Sequence, residues 1–121
     1  MTTPTEITLH QKSKTLEVAF DDGARYTLPA EYLRVYSPSA EVRGHGEGQE
    51  VLQVGKRNVG INGLEPVGQY AIKIAFDDGH DSGLYSWDYL YGLGHDQEIL
   101  WQNYLSRLEK ASASRDPARS K

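Results

Sequence analysis

Residues 72–90, IKIAFDDGHDSGLYSWDYL, decide the fold of this chain. Ile72, Ile74 and Phe76 alternate with Lys73 and Ala75, the period of a strand that buries one face. Asp77-Asp78-Gly79 then breaks the alternation with turn chemistry, in which a short carboxylate bonds a nearby amide and glycine accepts a positive φ. Leu84 lies on the return strand, and Ser86 can cap a helix running through Trp87, Tyr89 and Leu90. The same plan stands earlier in the chain. Leu16, Val18 and Phe20 alternate with Glu17 and Ala19, Asp21-Asp22-Gly23 turns, and Tyr26 and Leu28 return, with Ile7 and Leu9 on a candidate strand alongside. Pro29 and Glu31 favour a helix start, so Ala30 to Tyr36 reads as a short helix that Pro38 stops. AFDDG occurs twice, its glycines 56 positions apart (Gly79 less Gly23), and AEYL at 30–33 answers WDYL at 87–90 after a one-residue slip. We read two copies of one strand-turn-strand-helix plan. Asp-Gly suits any tight turn, so the echo leaves open whether the halves share an ancestor.

Between the copies, Val51, Leu52 and Val54, then Val59 and Ile61, read as strands, with turns at Gly55-Lys56-Arg57-Asn58, Gly63 and Pro66-Val67-Gly68. From Asp96 as N-cap to Lys110, Leu100, Tyr104 and Leu108 recur at helical spacing beside Trp101 and Leu105, an amphipathic helix expected to pack on the sheet. Residues 1–5 and 111–121 read as unstructured, because ASASRDPARSK cannot bury enough apolar surface to offset the entropy of ordering. With 121 residues the chain has room for one core. The expectation is one α+β domain over 6–110: an antiparallel or mixed β-sheet, two short helices and the C-terminal helix.

The net charge of -4 argues against a sequence-independent grip on nucleic acid, and Lys12, Lys14, Arg43, Lys56 and Arg57 form no basic stripe. With no cysteine, the chain offers neither a disulfide nor a thiolate metal site. No stretch approaches the roughly 20 apolar residues of a membrane helix and no secretory leader opens the sequence, so a cytoplasmic location is expected, with no membrane partner.

The stretch EPVGQYAIKIAFDDGHDSGLYSWDYLYGLG (65–94), together with LPAEYLRVYSP (28–38), resembles the gamma-butyrobetaine hydroxylase-like N-terminal domain family. Domains similar to it stand alone, precede the oxygenase domain of gamma-butyrobetaine hydroxylase, or follow P-loop ATPases implicated in iron–sulfur cluster assembly. In the hydroxylases the resemblance implies a structural zinc held by three cysteines and one histidine. His80 matches that histidine, while the sulfur positions fall on Ser37, Ser39 and Val42, none of which offers a thiolate. One matched histidine does not make a four-ligand zinc site.

The residues themselves suggest other sites. His80 with Asp78 and Asp81 is a candidate cluster for iron or zinc, although Asp77-Asp78-Gly79 reads first as turn chemistry. His45-Gly46-Glu47 with His95 outlines a two-histidine, one-carboxylate triad, but HxE in a glycine-rich loop is a weak motif. That loop, Arg43 to Gly48, lacks the Lys-Ser/Thr of a phosphate cradle. No G-x-S-x-G elbow and no cysteine nucleophile supports covalent catalysis. Tyr85, Trp87 and Tyr91 are candidate anchors for a protein partner, since these rings combine large contact area with a polar tip. The expectation is therefore a non-catalytic accessory or protein-interaction module without a resident cofactor, serving a metallo-enzyme or iron–sulfur assembly. A metal-binding protein and a small enzyme are the alternatives.

Overall fold

The computed structural model describes residues 2–44 and 50–117. Strands β1 (Pro4–His10), β2 (Thr15–Phe20) and β3 (Arg25–Pro29) lead into helix α1 (Ala30–Val35) and a short α2 (Ala40–Arg43). Strands β4 (Ile61–Val67), β5 (Ala71–Phe76) and β6 (Leu84–Ser86) lead into α3 (Trp87–His95), and α4 (Gln97–Lys110) follows. The chain is α+β, but the single expected sheet is two three-stranded antiparallel sheets, β1-β2-β3 and β4-β5-β6. Residues 50–60, expected to supply a crossing strand, contain none.

The echo in the sequence is an echo in hydrogen-bond register. Pro4–Phe20, Ile7–Val18 and Leu9–Leu16 in the first sheet correspond to Ile61–Phe76, Leu64–Ile74 and Pro66–Ile72 in the second. Thus β5 follows β2 at an offset of 56 (Phe76 less Phe20), and β4 follows β1 at 57 (Ile61 less Pro4). The third strands keep the offset of 57, since Leu16–Leu28 becomes Ile72–Tyr85 and Thr15–Pro29 becomes Ala71–Ser86. Both sheets carry an irregularity at the same place, between Pro4 and Glu6 and between Ile61 and Gly63. The turn glycines Gly23 and Gly79 share a φ of 91° and donate to Phe20 and Phe76 carbonyls. This left-handed conformation is one that glycine adopts without Cβ strain.

Contacts between the halves are reciprocal, as in a two-fold interface where residue i meets j and j meets i. Tyr32 on α1 donates its hydroxyl to the Leu93 carbonyl at 2.6 Å, and Tyr89 on α3 donates to the Tyr36 carbonyl. Tyr89 and Leu93 stand 57 residues after Tyr32 and Tyr36. Likewise Arg34 donates to Asp78 at 2.9 Å while Tyr91 donates to Asp22 at 2.7 Å. One core joins the halves, with Leu16, Val18 and Leu28 packed with Ile72, Ile74 and Leu90. Each such side chain contributes about 2 kcal/mol of apolar transfer.

Several expectations need correction. Pro4 and Thr5, expected to be unstructured, open β1. Gly63 and Pro66, expected in turns, lie inside β4; it is an edge strand, where a missing amide is tolerated. Asp96 takes the N-cap position of α4 but makes no side-chain cap, its carboxylate meeting His95 instead. The α4 stripe packs Tyr104 and Leu108 on Val35 of α1 and on Leu52 rather than on a sheet, and Tyr104 donates to the Gln53 carbonyl at 2.7 Å. Ala111 to Asp116, expected as solvated tail, runs back over the body through Gly55, Arg57 and Glu31. Among the described residues no helix is long and apolar enough to cross a membrane.

Candidate functional site

The repeat is broken around His80, where the offset between the halves passes from 56 to 57. Asp77–Gly83 joins β5 to β6 where the shorter Asp21–Ala24 joins β2 to β3. His80 stands at the place of Ala24, and its amide donates to the Asp78 carboxylate at 3.2 Å, as Ala24 does to Asp22 at 2.9 Å. The imidazole is buried, 3% exposed. Nδ1 lies 3.0 Å from Glu41 Oε2 and Nε2 lies 2.8 Å from Ser37 Oγ. An ionised carboxylate only accepts, so Nδ1 donates to Glu41, while Nε2 and the Ser37 hydroxyl share the second hydrogen bond. Ser39 caps α2 by accepting from the Glu41 amide at 3.2 Å, and its hydroxyl meets that of Ser82 at 2.7 Å. The α1–α2 connection is thereby tied to the β5–β6 turn by side-chain hydrogen bonds.

This cluster does not fit the zinc that the family resemblance implies. The matched positions supply two hydroxyls and the apolar Val42 in place of thiolates, and both imidazole nitrogens of His80 are engaged. Among the described residues no three His, Cys, Asp or Glu side chains gather to hold an ion. The proposed ligands diverge. The Asp78 carboxylate bridges Arg34 Nε at 2.9 Å and Lys56 Nζ at 2.7 Å, and Asp81 is exposed. Burial raises the Asp78 pKa, but the Lys56 and His80-amide hydrogen bonds and the Arg34 charge outweigh it and bring the group down to about 2. His95 is exposed against Asp96, and His45 and Glu47 lie outside the described residues.

The equivalent pole of the first half is filled by rings. Phe20, Tyr26 and Tyr91 meet edge to face at centroid distances of 5.0–6.1 Å. A Cβ on Gly94 would lie 2.3 Å from the Tyr26 ring, while a Cβ on Gly83 would lie 2.4 Å from Ser37 Oγ. Tyr26 and Gly83 are 57 apart, as are Ser37 and Gly94. Each pole thus gives its space to one member of the same pair, but to opposite members.

The expected aromatic anchors separate as well. Tyr85 is fully buried and donates to the Leu33 carbonyl at 2.6 Å, so it is a core residue and not a surface anchor. Trp87 is half-buried with Nε1 bonded to the Gln69 carbonyl, and Tyr91 belongs to the aromatic pole. Leu84 and Tyr70, which the sequence reading passed over as surface residues, are 51% and 65% exposed.

A groove missed by that reading opens where α1, α2, α3 and α4 approach one another. It measures about 400 Å³ and is walled by Val35, Tyr36, Ser37, Val42, Val51 and Tyr89, with two arginines, Arg43 and Arg107, and one carboxylate, Glu50. The Arg43 guanidinium sits 5.2 Å from the Tyr89 ring centroid. Burial pushes the Tyr89 hydroxyl up, against the pull of the Arg43 charge. Neither arginine forms an ion pair among the described residues. They lie on α2 and α4, too far apart in sequence for any local pattern to join them.

Three comparisons with known proteins bear on this arrangement. Residues 7–91 match the family described as Gamma-butyrobetaine hydroxylase-like, N-terminal. Two proteins solved in solution by NMR are 57% and 54% identical, with TM-scores of 0.85 and 0.83. The first alignment covers 99% of this chain and 94% of the other, the second 100% and 90%. A protein of unknown function from Acidithiobacillus ferrooxidans, of the DUF971 family, is 35% identical with a TM-score of 0.63, over 75% of this chain and 91% of the other. No curated protein matches. With its paired sheets, its reciprocal helices and the match over most of its length, the chain belongs to the gamma-butyrobetaine hydroxylase-like N-terminal family.

Proposed function

We propose that this domain is a non-catalytic binding module that recognises a protein partner through the groove between α2 and α4. The observation that carries the reading is the composition of that groove: exposed Val51, the Tyr36 and Tyr89 rings, and the Arg43 and Arg107 guanidinium groups on one concave wall. Aromatic and arginine side chains beside a small apolar centre are the usual carriers of binding energy at protein interfaces. The partner is a component of a metallo-enzyme or of iron–sulfur cluster assembly, the association that the family resemblance implies.

A photo-reactive residue placed at Val51 in the full chain tests this. It should yield a protein adduct in native extract that an Arg43→Glu substitution removes. The same residue at Ile99, exposed on α4 outside the groove, is the control. Equal labelling from both positions, or none from Val51, removes the groove as the recognition surface.

A further inference from the structure

At the N-terminal turn of α1, the chain holds part of itself as a receptor holds a peptide. Ala113 to Asp116 carries one small apolar side chain, so its docking owes little to hydrophobic burial. What holds it is recognition chemistry. The Ser114 and Arg115 carbonyls accept from the Gly55 and Arg57 amides at 3.0 and 2.9 Å. Arg115 grips Glu31 with both branches of its fork, Nε and an Nη each at 2.7 Å. Its guanidinium lies 5.0 Å from the Trp101 ring centroid, and Asp116 pairs with Arg57. Main-chain bonds for affinity, a bidentate charge pair and an aromatic face for specificity are the parts of a peptide-recognition site. Glu31 itself is buried, with its side chain 8% exposed, and a buried carboxylate without its cation is costly. The site is therefore built for an arginine.

We propose that Glu31, Trp101, Gly55 and Arg57 form a recognition site for an extended, arginine-bearing peptide, and that Ala113–Asp116 occupies this site in cis. The ligand class follows from the contacts: small residues before the arginine, the guanidinium between Glu31 and Trp101, and an acidic residue after it facing Arg57. A cleft of about 290 Å³ bordered by Pro29, Tyr32 and Gln97 continues beside Arg115 and gives an incoming arginine a route to Glu31. This site is separate from the groove on α2 and stands whether or not that groove binds a protein.

The test uses the full chain and a labelled peptide of sequence Ala-Ser-Ala-Ser-Arg-Asp-Pro, residues 111–117, followed by fluorescence anisotropy. Arg115→Ala should bind this peptide at least about tenfold more tightly than the wild type, whose site is filled. Adding Glu31→Gln to Arg115→Ala should abolish the gain, as should a peptide with citrulline for arginine. If Arg115→Ala does not fold, Arg115→Lys keeps the charge without the fork, and the peptide should displace its weaker internal ligand. A folded variant that binds no better than wild type, or that binds the citrulline peptide equally well, overturns the proposal and leaves the segment as a structural brace.

Discussion

The two poles of the molecule occupy equivalent places in the repeat and are filled by opposite chemistry. At one, Tyr26 packs over Gly94 with Phe20 and Tyr91. At the other, Ser37 packs over Gly83, and His80 joins it to Glu41. The sheets beneath are in matching register, so nothing in the fold requires hydroxyls and an imidazole at the second pole. The difference teaches that the polar cluster is a local choice, replaceable by rings without a change of topology. It also separates two kinds of robustness. A ring cluster depends on close packing and fails by clash or cavity, while a hydrogen-bonded cluster fails when a partner is removed.

The largest effect is expected at the aromatic pole. Gly94→Ala places a Cβ against Tyr26 Cγ and Cδ2, atoms close to the backbone that a rotamer change cannot carry clear. Overpacking of this kind costs roughly 3 kcal/mol, from which the better helix propensity of alanine returns about 1. Gly92, on the same helix with nothing within 4 Å of its Cβ position, should instead tolerate alanine or gain from it. Urea unfolding of both variants measures the gap. A Gly94→Ala protein as stable as Gly92→Ala means that Tyr26 moves freely, and the poles then differ less than their geometry indicates.

His80→Ala, which copies the residue of the other pole, should cost about 1.5 kcal/mol because it takes the imidazole partner from the buried Ser37 hydroxyl, which keeps the Ser39 amide, and opens a cavity. Adding Ser37→Gly, which copies Gly94, should recover part of that loss, since removing both members of a buried pair costs less than removing one. Zinc at several equivalents should leave the wild-type melting temperature unchanged. A ligand that binds only the folded state would raise it, and a rise that His80→Ala abolishes would return the cluster to metal chemistry.

How much of this was readable follows from where each determinant lies. The hairpins built on AFDDG, the helix from Ser86 and the amphipathic helix to Lys110 are local patterns, and all are present. β4 was misread because Gly63 and Pro66 are turn residues locally, while their tolerance in a strand comes from its place at the sheet edge. Val51 to Val54 has the residues of a strand but finds no pairing partner, and α4 takes the Gln53 carbonyl instead. Candidate sites were less legible. Ser37 and Ser39 were placed near His80 by resemblance, but Glu41, which completes the cluster, has no local signature. Composition marked residues 111–121 as solvated because Glu31, which holds Arg115, lies 84 positions away.

The last test compares Asp78 with its counterpart Asp22. Both carboxylates are held below their usual range, but by different neighbours. For Asp22 the Tyr91 hydroxyl is the main cause and the Ala24 amide the next. Asp78 combines a burial penalty with the stronger opposing pull of Lys56, the His80 amide and Arg34. A carboxylate with a folded-state pKa near 2, against the usual 3.8, supports the fold fully above about pH 4 and loses that contribution as pH falls through about 2. Partial exposure of the group reduces the full linkage value to roughly 1 kcal/mol. The stability gap between wild type and Asp78→Asn should therefore be constant from neutral pH down to about 4 and narrow by about 1 kcal/mol below it. Asp22→Asn should show a smaller change, because no cation faces that carboxylate among the described residues. Equal acid sensitivity at the two positions would mean that the cations at the polar pole add nothing to the repeat, whereas a larger effect at Asp78 assigns the difference to Arg34 and Lys56.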